Sequence, residues 1–476
     1  MFGANNDILN TMGSMQLRNI IAGGFKGKIY PIHPRLTSVQ GIKAYKSVLD
    51  LSEVPDMAFI ILPPKVVPQV MEECGQKGIK RLIITSGGFR EAGPEGIILS
   101  DKIDRIAKKY GMRFIGPNCL GVFNGWYDAQ RKESYLNTMW ISQVPKRGKI
   151  SITSQSGTIA CHLAWHSRRL GVKIGKSFSN GNERNVDIVD FLNYLKDDPE
   201  TNVIGLYLEE IKRGKEFIEL AREVSKDKPI VAIYAGGTEA TVRSILSHTG
   251  SIGGNQKIYD AMFKKTGIIS TDSITDFLYY LKTFSWAKRN DIFPKGNRVG
   301  IITDSGGAGA MMTKTSEMYG LEVPEFSEDL QEKLRAFIPP TASANNPLDV
   351  TFDMDMGKIF LKYPEIIAKS GEIDGILLYG VFDFGEIFKL IYESTPIKDD
   401  SLLEMDKTIE REVIGKIKKL IKTLNIPIFY IGPQPYESEM NQKFLSRKIP
   451  IFDLWDQPTK CFAALLRYSH YRQYHL

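Results

Sequence analysis

Short apolar runs alternate with helical patterns along almost the whole chain, and this alternation is the feature that most limits the fold. Glycine and proline bound the runs, as in RLIITSGG and PIVAIYAGG, while segments such as KVVPQVMEECGQKG carry apolar residues at helical spacing. Strands that alternate with helices form parallel sheets with crossover helices. The sequence therefore predicts an α/β protein built from doubly wound parallel sheets.

The chain is too long for one ordinary hydrophobic core, because it has 476 residues. Two irregular polar stretches, Trp126 to Gly148 and Ala287 to Asn297, interrupt the pattern. We therefore expect three doubly wound domains, at residues 1–127, 128–292 and 293–476. The first domain begins at its glycine turn, Gly3-Ala4, so we expect its opening strand to be truncated and the true start to lie upstream.

Composition excludes several classes of protein. Hydrophobic residues make up 42% of the chain and charged residues 25%, which is typical of a globular protein. The net charge of +7 is a small excess over this length, so it does not predict a nucleic-acid partner. The four cysteines lie far apart, which disfavours a disulfide framework or a zinc site. With no transmembrane stretch or signal peptide in the sequence, we expect a cytoplasmic protein without metal or membrane partner.

Polar turns follow several predicted strands, where open sheets bind their ligands. SQSGT, Ser154 to Thr158, precedes a helical pattern, so its backbone N–H groups suit a phosphate; a plain serine N-cap would give the same sequence. Glu209 and Glu210 follow the run VIGLYL. They are either carboxylates that support an imidazole or an ordinary solvated strand end. Cys119 in GPNCLG is a nucleophile or a buried small hydrophobic residue.

A single histidine, His248, lies among hydroxyl residues and glycines in SHTGSIGGN. Its neutral imidazole can act as a nucleophile or base at cellular pH, and small neighbours leave the ring accessible. An ordinary exposed turn has the same composition. A further glycine turn, TDSGGAGA, lacks both the lysine of a P-loop and the GxGxxG spacing, so it does not indicate a nucleotide site.

In their order along the chain, these motifs resemble the α subunit of the ADP-forming acyl-CoA synthetases, relatives of succinyl-CoA synthetase. The matching segments run nearly from end to end: LRNIIAGGFKGKIYPIHP, GMRFIGPNCLGVFN, KISITSQSGTIA, FSNGNERNVDIVDFLNYLKDD, YLEEIKRGKEF, SHTGSIGG, VGIITDSGGAGAMM and LRAFIPPTASANNPLDVT. The resemblance implies a Rossmann-like CoA-binding domain followed by two flavodoxin-like domains. It also implies a reversible reaction of acyl-CoA, ADP and phosphate that gives a carboxylate, ATP and CoA through an acyl phosphate and a phosphohistidine.

The resemblance carries over residue by residue. It implies that His248 is phosphorylated on a mobile loop, that Glu209 supports its imidazole, and that the phosphate-binding turn consists of Ser154, Gln155, Ser156 and Gly157. The positions that match the CoA site are Gly3, Ala4, Thr85, Ser86, Gly87, Asn118 and Cys119. The chain departs from the family at Tyr234, where relatives carry lysine, and at His33, where they carry asparagine.

ATP-grasp domains are not seen in the sequence. The resemblance therefore implies a separate ATP-grasp β subunit that holds ADP or ATP with Mg²⁺, while CoA, an acyl-CoA and a small carboxylic acid are substrates. Two other classes of protein are alternatives: a non-catalytic acyl-CoA-binding regulator or scaffold of the same fold, and a nicotinamide-dependent oxidoreductase. The second lacks a complete GxGxxG turn and a ribose-binding acid. The sequence does not indicate which acyl group is used.

Overall fold

The computed structural model describes residues 1–9, 11–128, 130–131, 133–141, 143–241, 254–351, 353, 355–396 and 409–475. The chain divides into two compact units: unit 1 contains residues 1–168 and 172–281, and unit 2 contains residues 169–171 and 282–476. Every sheet of more than two strands is wholly or mainly parallel, so the predicted α/β class is confirmed. The predicted domain boundaries at 127 and 292 stay a prediction.

Unit 1 opens with helix α1 (Met12–Ala22) and an antiparallel hairpin of β1 (Ser38–Val39) and β2 (Ile42–Lys43). A parallel sheet of order β3–β4–β5 follows, with the elements β3 (Ala58–Ile60), α2 (Val67–Lys77), β4 (Arg81–Ile84), α3 (Pro94–Tyr110) and β5 (Arg113–Ile115). Phe2 adds single parallel bridges to Ile60 and Ile32, where a strand before the glycine turn would lie. The apolar run GKIYPI contributes only the bridges at Ile32, because the prolines on both sides of Ile32 cannot donate to a ladder.

A second sheet of unit 1 has seven strands in the order β12–β11–β10–β8–β9–β6–β7. Its elements are β6 (Val122–Asn124), β7 (Leu136–Asn137), β8 (Ile150–Ser154), α4 (Gly157–Arg169), β9 (Ile174–Ser179), α5 (Ile188–Asp197), β10 (Val203–Leu208), α6 (Gly214–Asp227), β11 (Ile230–Tyr234), α7 (Gln256–Thr266), β12 (Ile269–Ser270) and α8 (Ile274–Asn290). Strands β8 to β12 pair in parallel, whereas β6 and β7 extend the sheet antiparallel beyond β9. Strand β6, which the sequence assigns to the first domain, therefore pairs in the second sheet.

Burial on both faces explains the continuous apolar run of the central strand β10. On one face, Ile204, Leu206 and Leu208 have no solvent exposure and pack in one cluster with residues of α5, α6, β11 and α7. On the other face, a Cβ on Gly205 would lie 2.8 Å from a phenylalanine ring of α8. Strands of parallel sheets are covered on both faces by helices, so they are apolar throughout instead of alternating. Asp187 fixes the start of α5, because its side chain accepts hydrogen bonds from two N–H groups of the first turn.

Unit 2 contains a parallel sheet of order β14–β13–β15–β16–β17. Its elements are β13 (Val299–Thr303), α9 (Gly306–Met318), α10 (Glu328–Arg335), β14 (Leu348–Asp349), α11 (Tyr363–Ser370), β15 (Gly375–Tyr379), α12 (Phe384–Ser394), α13 (Gly415–Leu424), β16 (Ile428–Ile431), α14 (Glu439–Ser446), β17 (Ile451–Phe452) and α15 (Gln457–His475). The TDSGGAGA turn joins β13 to α9, where the Ser305 side chain caps the helix. Across the described part of the chain, no helix is both long and apolar enough to cross a membrane.

The buried centre of β10 generates a stability prediction. Replacing Ile204 by alanine should lower the free energy of unfolding by about 2–5 kcal/mol, because it leaves a cavity between sheet and helices. Ile258→Ala is the matched control, since Ile258 is 67% exposed on α7 and its replacement should change the stability by less than about 0.5 kcal/mol. Urea unfolding monitored by circular dichroism measures both; equal losses would contradict the assignment of β10 to the core.

Candidate functional site

The strand order places the end of β8 where the second sheet changes direction. From β8 the chain passes to β9 on one side, and then crosses to β10 on the other. Ligands of open parallel sheets bind beyond the carboxyl ends of the strands at such a point. The segment found there is the predicted phosphate-binding turn, Ser154 to Gly157, which joins β8 to α4.

The turn directs the start of α4 into this crevice. Ser156 is the cap of the helix, since its Oγ accepts a hydrogen bond from the N–H of Ile159 at 3.4 Å, and the hydroxyl of Ser154 donates to the carbonyl oxygen of Ser156 at 2.7 Å. Ser156 therefore caps α4, and phosphate binding by this turn stays a prediction. The first N–H groups of a helix have no partner within it, so those of Gly157 and Thr158 are the donors available to an anion.

The side chain of Gln155 joins this turn to the end of β10. It is 6% exposed, and its Oε1 accepts hydrogen bonds from the N–H groups of Glu209 and Glu210. Its Nε2 donates to the carbonyl oxygen of Glu210 at 2.6 Å and to the carboxylate of Glu183 at 2.8 Å. A carboxamide offers two donors and two acceptor positions. All four are used, so the turn and the strand end are held together.

The two carboxylates at the end of β10 have different surroundings. Glu209 is 5% exposed, so the interpretation as a solvated strand end does not apply to it. Glu210 is half-buried, and its carboxylate lies 3.3 Å from the guanidinium of Arg90. Because Arg90 follows β4, this ion pair links the carboxyl edges of the two parallel sheets of unit 1.

Sequence reasoning missed Glu183, which lies in the loop after β9. It is 3% exposed, and its carboxylate accepts hydrogen bonds from Gln155 and from Nδ2 of Asn180, the latter at 2.7 Å. Burial raises the pKa of Glu183 to about 7. The ammonium of Lys212 donates to the carbonyl oxygens of Asn182 and Glu183 at 2.6 and 2.8 Å. The available signal was the run SNGNE at the carboxyl end of a strand, the same edge as SQSG.

The turns after β4 and β5 carry most of the predicted CoA positions and pack against each other. The N–H of Asn118 donates to the carbonyl oxygen of Ser86 at 2.9 Å. Thr85 and Ser86 are at most 7% exposed, and their hydroxyls bond to backbone groups of and just after β3. A Cβ built on Gly87 would lie 3.3 Å from Oδ1 of Asn118, so a larger residue would press on the second turn.

Asn182 connects these turns to the loop after β9. Its Oδ1 accepts a hydrogen bond from Nδ2 of Asn118 at 3.3 Å, and its own Nδ2 donates to the carboxylate of Glu91. The loop that contains Glu183 therefore contacts both the phosphate-binding turn and the predicted CoA turns.

The glycine turn at the start of the chain also reaches this region. Gly3 has a φ of +86°, and a Cβ there would lie 1.8 Å from the carbonyl oxygen of Ile61, so only glycine fits. Ala4 is 2% exposed. Helix α1, which follows, directs Gln16 Nε2 to the carbonyl oxygen of Leu120 at 3.1 Å. The structure thus brings the predicted CoA positions to one edge of unit 1, while their contacts with CoA stay a prediction.

The Cys119 side chain points into the protein. It is 1% exposed, and its Sγ donates to the carbonyl oxygen of Ile84 at 3.4 Å. Burial raises the pKa of the Cys119 thiol to about 12, so the group is protonated at neutral pH. The thiolate is the nucleophilic form of cysteine. The buried small hydrophobic residue is therefore the interpretation that fits.

His248 lies outside the described residues, which end at 241 and resume at 254. Gly254 is tied to the end of β11, because the hydroxyl of Tyr234 accepts from its N–H at 2.6 Å and donates to its carbonyl oxygen at 2.9 Å. The Tyr234 ring stacks on Tyr259 at a centroid distance of 3.6 Å. The hydroxyl of Tyr259 accepts a hydrogen bond from the N–H of Ile211 at 3.2 Å. The chain that follows His248 therefore resumes beside the end of β10.

Sequence models of three families match consecutive parts of the chain: the CoA binding domain at residues 3–125, the succinyl-CoA ligase like flavodoxin domain at 147–284 and the ligase-CoA domain at 299–357. These matches define a CoA-dependent ligase. The α subunit of acetate–CoA ligase [ADP-forming] II from Pyrococcus furiosus is 40% identical over 348 residues, which are 73% of each chain. The chain belongs to the family of ADP-forming acetate–CoA ligases, so the predicted resemblance and enzyme class are confirmed.

Other relatives extend the comparison. The 4-hydroxybutyrate–CoA ligase [ADP-forming] of Nitrosopumilus maritimus is 29% identical over 98% of this chain and 62% of its own length. Among solved structures, the dinucleotide forming acetyl-coenzyme A synthetase 1 of Ca. Korarchaeum cryptofilum, in complex with phosphate and ADP, aligns with a TM-score of 0.81 and 30% identity. That alignment covers 99% of this chain and 95% of the other.

The buried thiols generate a chemical prediction. All four cysteines are buried, and burial raises the pKa of the Cys74, Cys119 and Cys161 thiols to about 12. We expect no thiol of the native chain to react rapidly with dithionitrobenzoate at pH 8, and all four to react in guanidinium chloride. A fast native reaction that Cys119→Ser abolishes would restore the nucleophile interpretation.

Proposed function

We propose that this chain is the catalytic α subunit of an ADP-forming acyl-CoA synthetase that acts through a phosphohistidine. In this function acyl-CoA, ADP and phosphate react reversibly to give a carboxylate, ATP and CoA. The observation that carries the proposal is the four-fold hydrogen bonding of Gln155, because it holds a turn suited to phosphate against the buried carboxylate of Glu209. The relatives named as ADP-forming ligases support the same reaction class.

The proposed reaction has three steps. An oxygen of phosphate attacks the thioester carbon of acyl-CoA, the carbon–sulfur bond breaks, and the thiolate takes up a proton as CoA leaves. A ring nitrogen of His248 then attacks the phosphorus of the acyl phosphate, and the carboxylate leaves. Finally an oxygen of the ADP β-phosphate attacks the same phosphorus, which gives ATP and returns neutral His248.

Three groups of unit 1 have roles in this scheme. The N–H groups of Gly157 and Thr158 bind the oxygens of phosphate and of the acyl phosphate at the helix terminus. Glu209 holds the imidazole of His248 in the reacting tautomer and balances the positive charge of the phosphorylated ring. The turns that contain Gly3, Ser86 and Asn118 bind CoA at the adjacent edge.

A separate ATP-grasp subunit, with Mg²⁺, supplies the nucleotide in this proposal. The Pyrococcus furiosus relatives are named as α subunits, and the Methanocaldococcus jannaschii relative is a longer chain, of which this one covers 45%. Both arrangements are consistent with a nucleotide site on additional sequence. Four cysteines, none of them in a disulfide, support a cytoplasmic location.

A non-catalytic regulator is the competing function. Such a protein would need the CoA turns, but neither a histidine at 248 nor a buried Glu209 joined to the start of α4. The hydrogen bonds of Gln155 therefore favour the catalytic function.

The phosphohistidine is tested by His248→Ala. With an ATP-grasp partner and labelled ATP, the wild-type chain should give an acid-labile, base-stable phosphoprotein, and the variant should not, because the accepting nitrogen is gone. ATP formation should fall by at least about a thousandfold, as expected for loss of a covalent nucleophile. His33→Ala is the control, because it removes a histidine from another region. Wild-type labelling of His248→Ala would contradict the assignment.

The need for a partner is tested by omission. The chain alone, given acetyl-CoA, ADP, Mg²⁺ and phosphate, should form no ATP, because its glycine turns lack the lysine of a P-loop. Addition of an ATP-grasp β subunit should start ATP formation, which a luciferase assay measures. A panel of acyl-CoAs assayed with this complex then identifies the acyl group. ATP formation by the chain alone would refute the need for a partner subunit.

A further inference from the structure

The Glu183 carboxylate lies where three loops meet. Its two oxygens accept hydrogen bonds from Asn180 in its own loop and from Gln155 in the turn after β8. Lys212, in the loop after β10, donates a hydrogen bond to the backbone carbonyl oxygen of Glu183. One residue thus connects the carboxyl ends of β8, β9 and β10.

Two features of Glu183 are unfavourable on their own. It is 3% exposed, so its charged form has lost most of its hydration, and its φ of +49° is uncommon for a residue with a side chain. Such strain persists only where the surroundings impose it, and it clusters at functional sites. Here the surroundings are Asn180, Gln155 and Lys212, which together satisfy the side chain and the backbone.

The amide of Gln155 depends on Glu183 for one of its four hydrogen bonds. The backbone of Glu209 and Glu210 takes the other three. Without a carboxylate at position 183, the remaining N–H of Gln155 would be buried without a partner. Such a donor costs enough free energy to favour a shift of the side chain, and the turn before α4 would shift with it.

We infer that Glu183 is a positioning residue for the reaction, acting through Gln155 to hold the phosphate-binding turn in register with the end of β10 that carries Glu209. The inference rests on the proposed function. Glu183 touches no substrate in this scheme. It fixes the distance between the N–H groups that bind phosphate and the carboxylate that supports His248.

The test compares Glu183→Leu with Glu183→Gln in the complex with the ATP-grasp partner. Leucine removes the acceptor, so the KM for phosphate should rise about tenfold, while the KM for ADP stays unchanged. Glutamine should restore the phosphate KM, because its carbonyl oxygen can accept from Gln155. Its NH₂ group can donate to Asn180 once that amide rotates, since the hydroxyl of Thr153, which now donates to Asn180, can also accept.

Hydrogen exchange supplies a readout that does not depend on activity. The N–H groups of Glu209 and Glu210 should exchange faster in Glu183→Leu than in the wild type, because their acceptor on Gln155 is displaced. The double variant Gln155→Leu/Glu183→Leu should have the phosphate KM of Gln155→Leu alone, since Glu183 acts only through Gln155.

The matched control is Asp198→Asn. Asp198 is also a buried carboxylate of unit 1, paired with Lys176 at 2.7 Å on the amino-terminal side of the same sheet. The variant Asp198→Asn should lower the melting temperature without changing the KM for phosphate. Glu183→Leu would give the same result if the role of Glu183 were purely structural. If Glu183→Leu has wild-type activity and an unchanged KM for phosphate, the inference about Glu183 is overturned, while the proposed function stands. A wild-type complex that forms no ATP from any acyl-CoA would overturn the proposed function.

Discussion

The candidate site depends on one buried carboxamide. Beyond the last paired residues of a parallel sheet, the strands diverge and their backbone N–H and C=O groups lose their ladder partners, although buried groups still need partners. Gln155 replaces the ladder at the end of β8, because it bonds to two N–H groups and one carbonyl oxygen after β10. A side chain on a loop thereby gives three loops the rigidity of the sheet beneath them.

Close packing at two glycines connects these loops to the sheet that carries the predicted CoA positions. A Cβ on Gly157 would lie 2.7 Å from Cγ of Leu120, and one on Gly181 would lie 2.3 Å from the carbonyl oxygen of Pro117. Glycine at these positions lets the turns after β8 and β9 pack on the GPNCLG turn. In the proposed function, the thioester of an acyl-CoA bound at one edge meets a phosphate bound at the other, so this packing sets the distance over which the proposed first step occurs.

Local sequence patterns predict the secondary-structure elements and the motifs, but they do not predict which loops contact each other. The runs VIGLYL and PIVAIY match β10 and β11 within about a residue, and SQSG is the turn that joins β8 to α4, while its binding of phosphate stays a prediction. The antiparallel strands β6 and β7 were missed, because strands of two or three residues leave no period. Glu183 was missed for another reason: in NGNERN it has the composition of a solvated loop, and only the fold brings Gln155 and Asn180 to its oxygens.

Glu183 and Glu209 are buried beside the proposed phosphate-binding turn, so a phosphate dianion in this site would need compensating positive charge or donors. In the proposed function, neutral N–H donors at the start of α4 bind it. The ammonium of Lys212 and the guanidinium of Arg90 lie at the same edge, close to Glu183 and Glu210. Burial already holds the pKa of Glu183 near 7, so part of its negative charge is absent at neutral pH. The proposed relay needs only moderate binding, because an acyl phosphate held too tightly in its ground state would not pass its phosphoryl group onward.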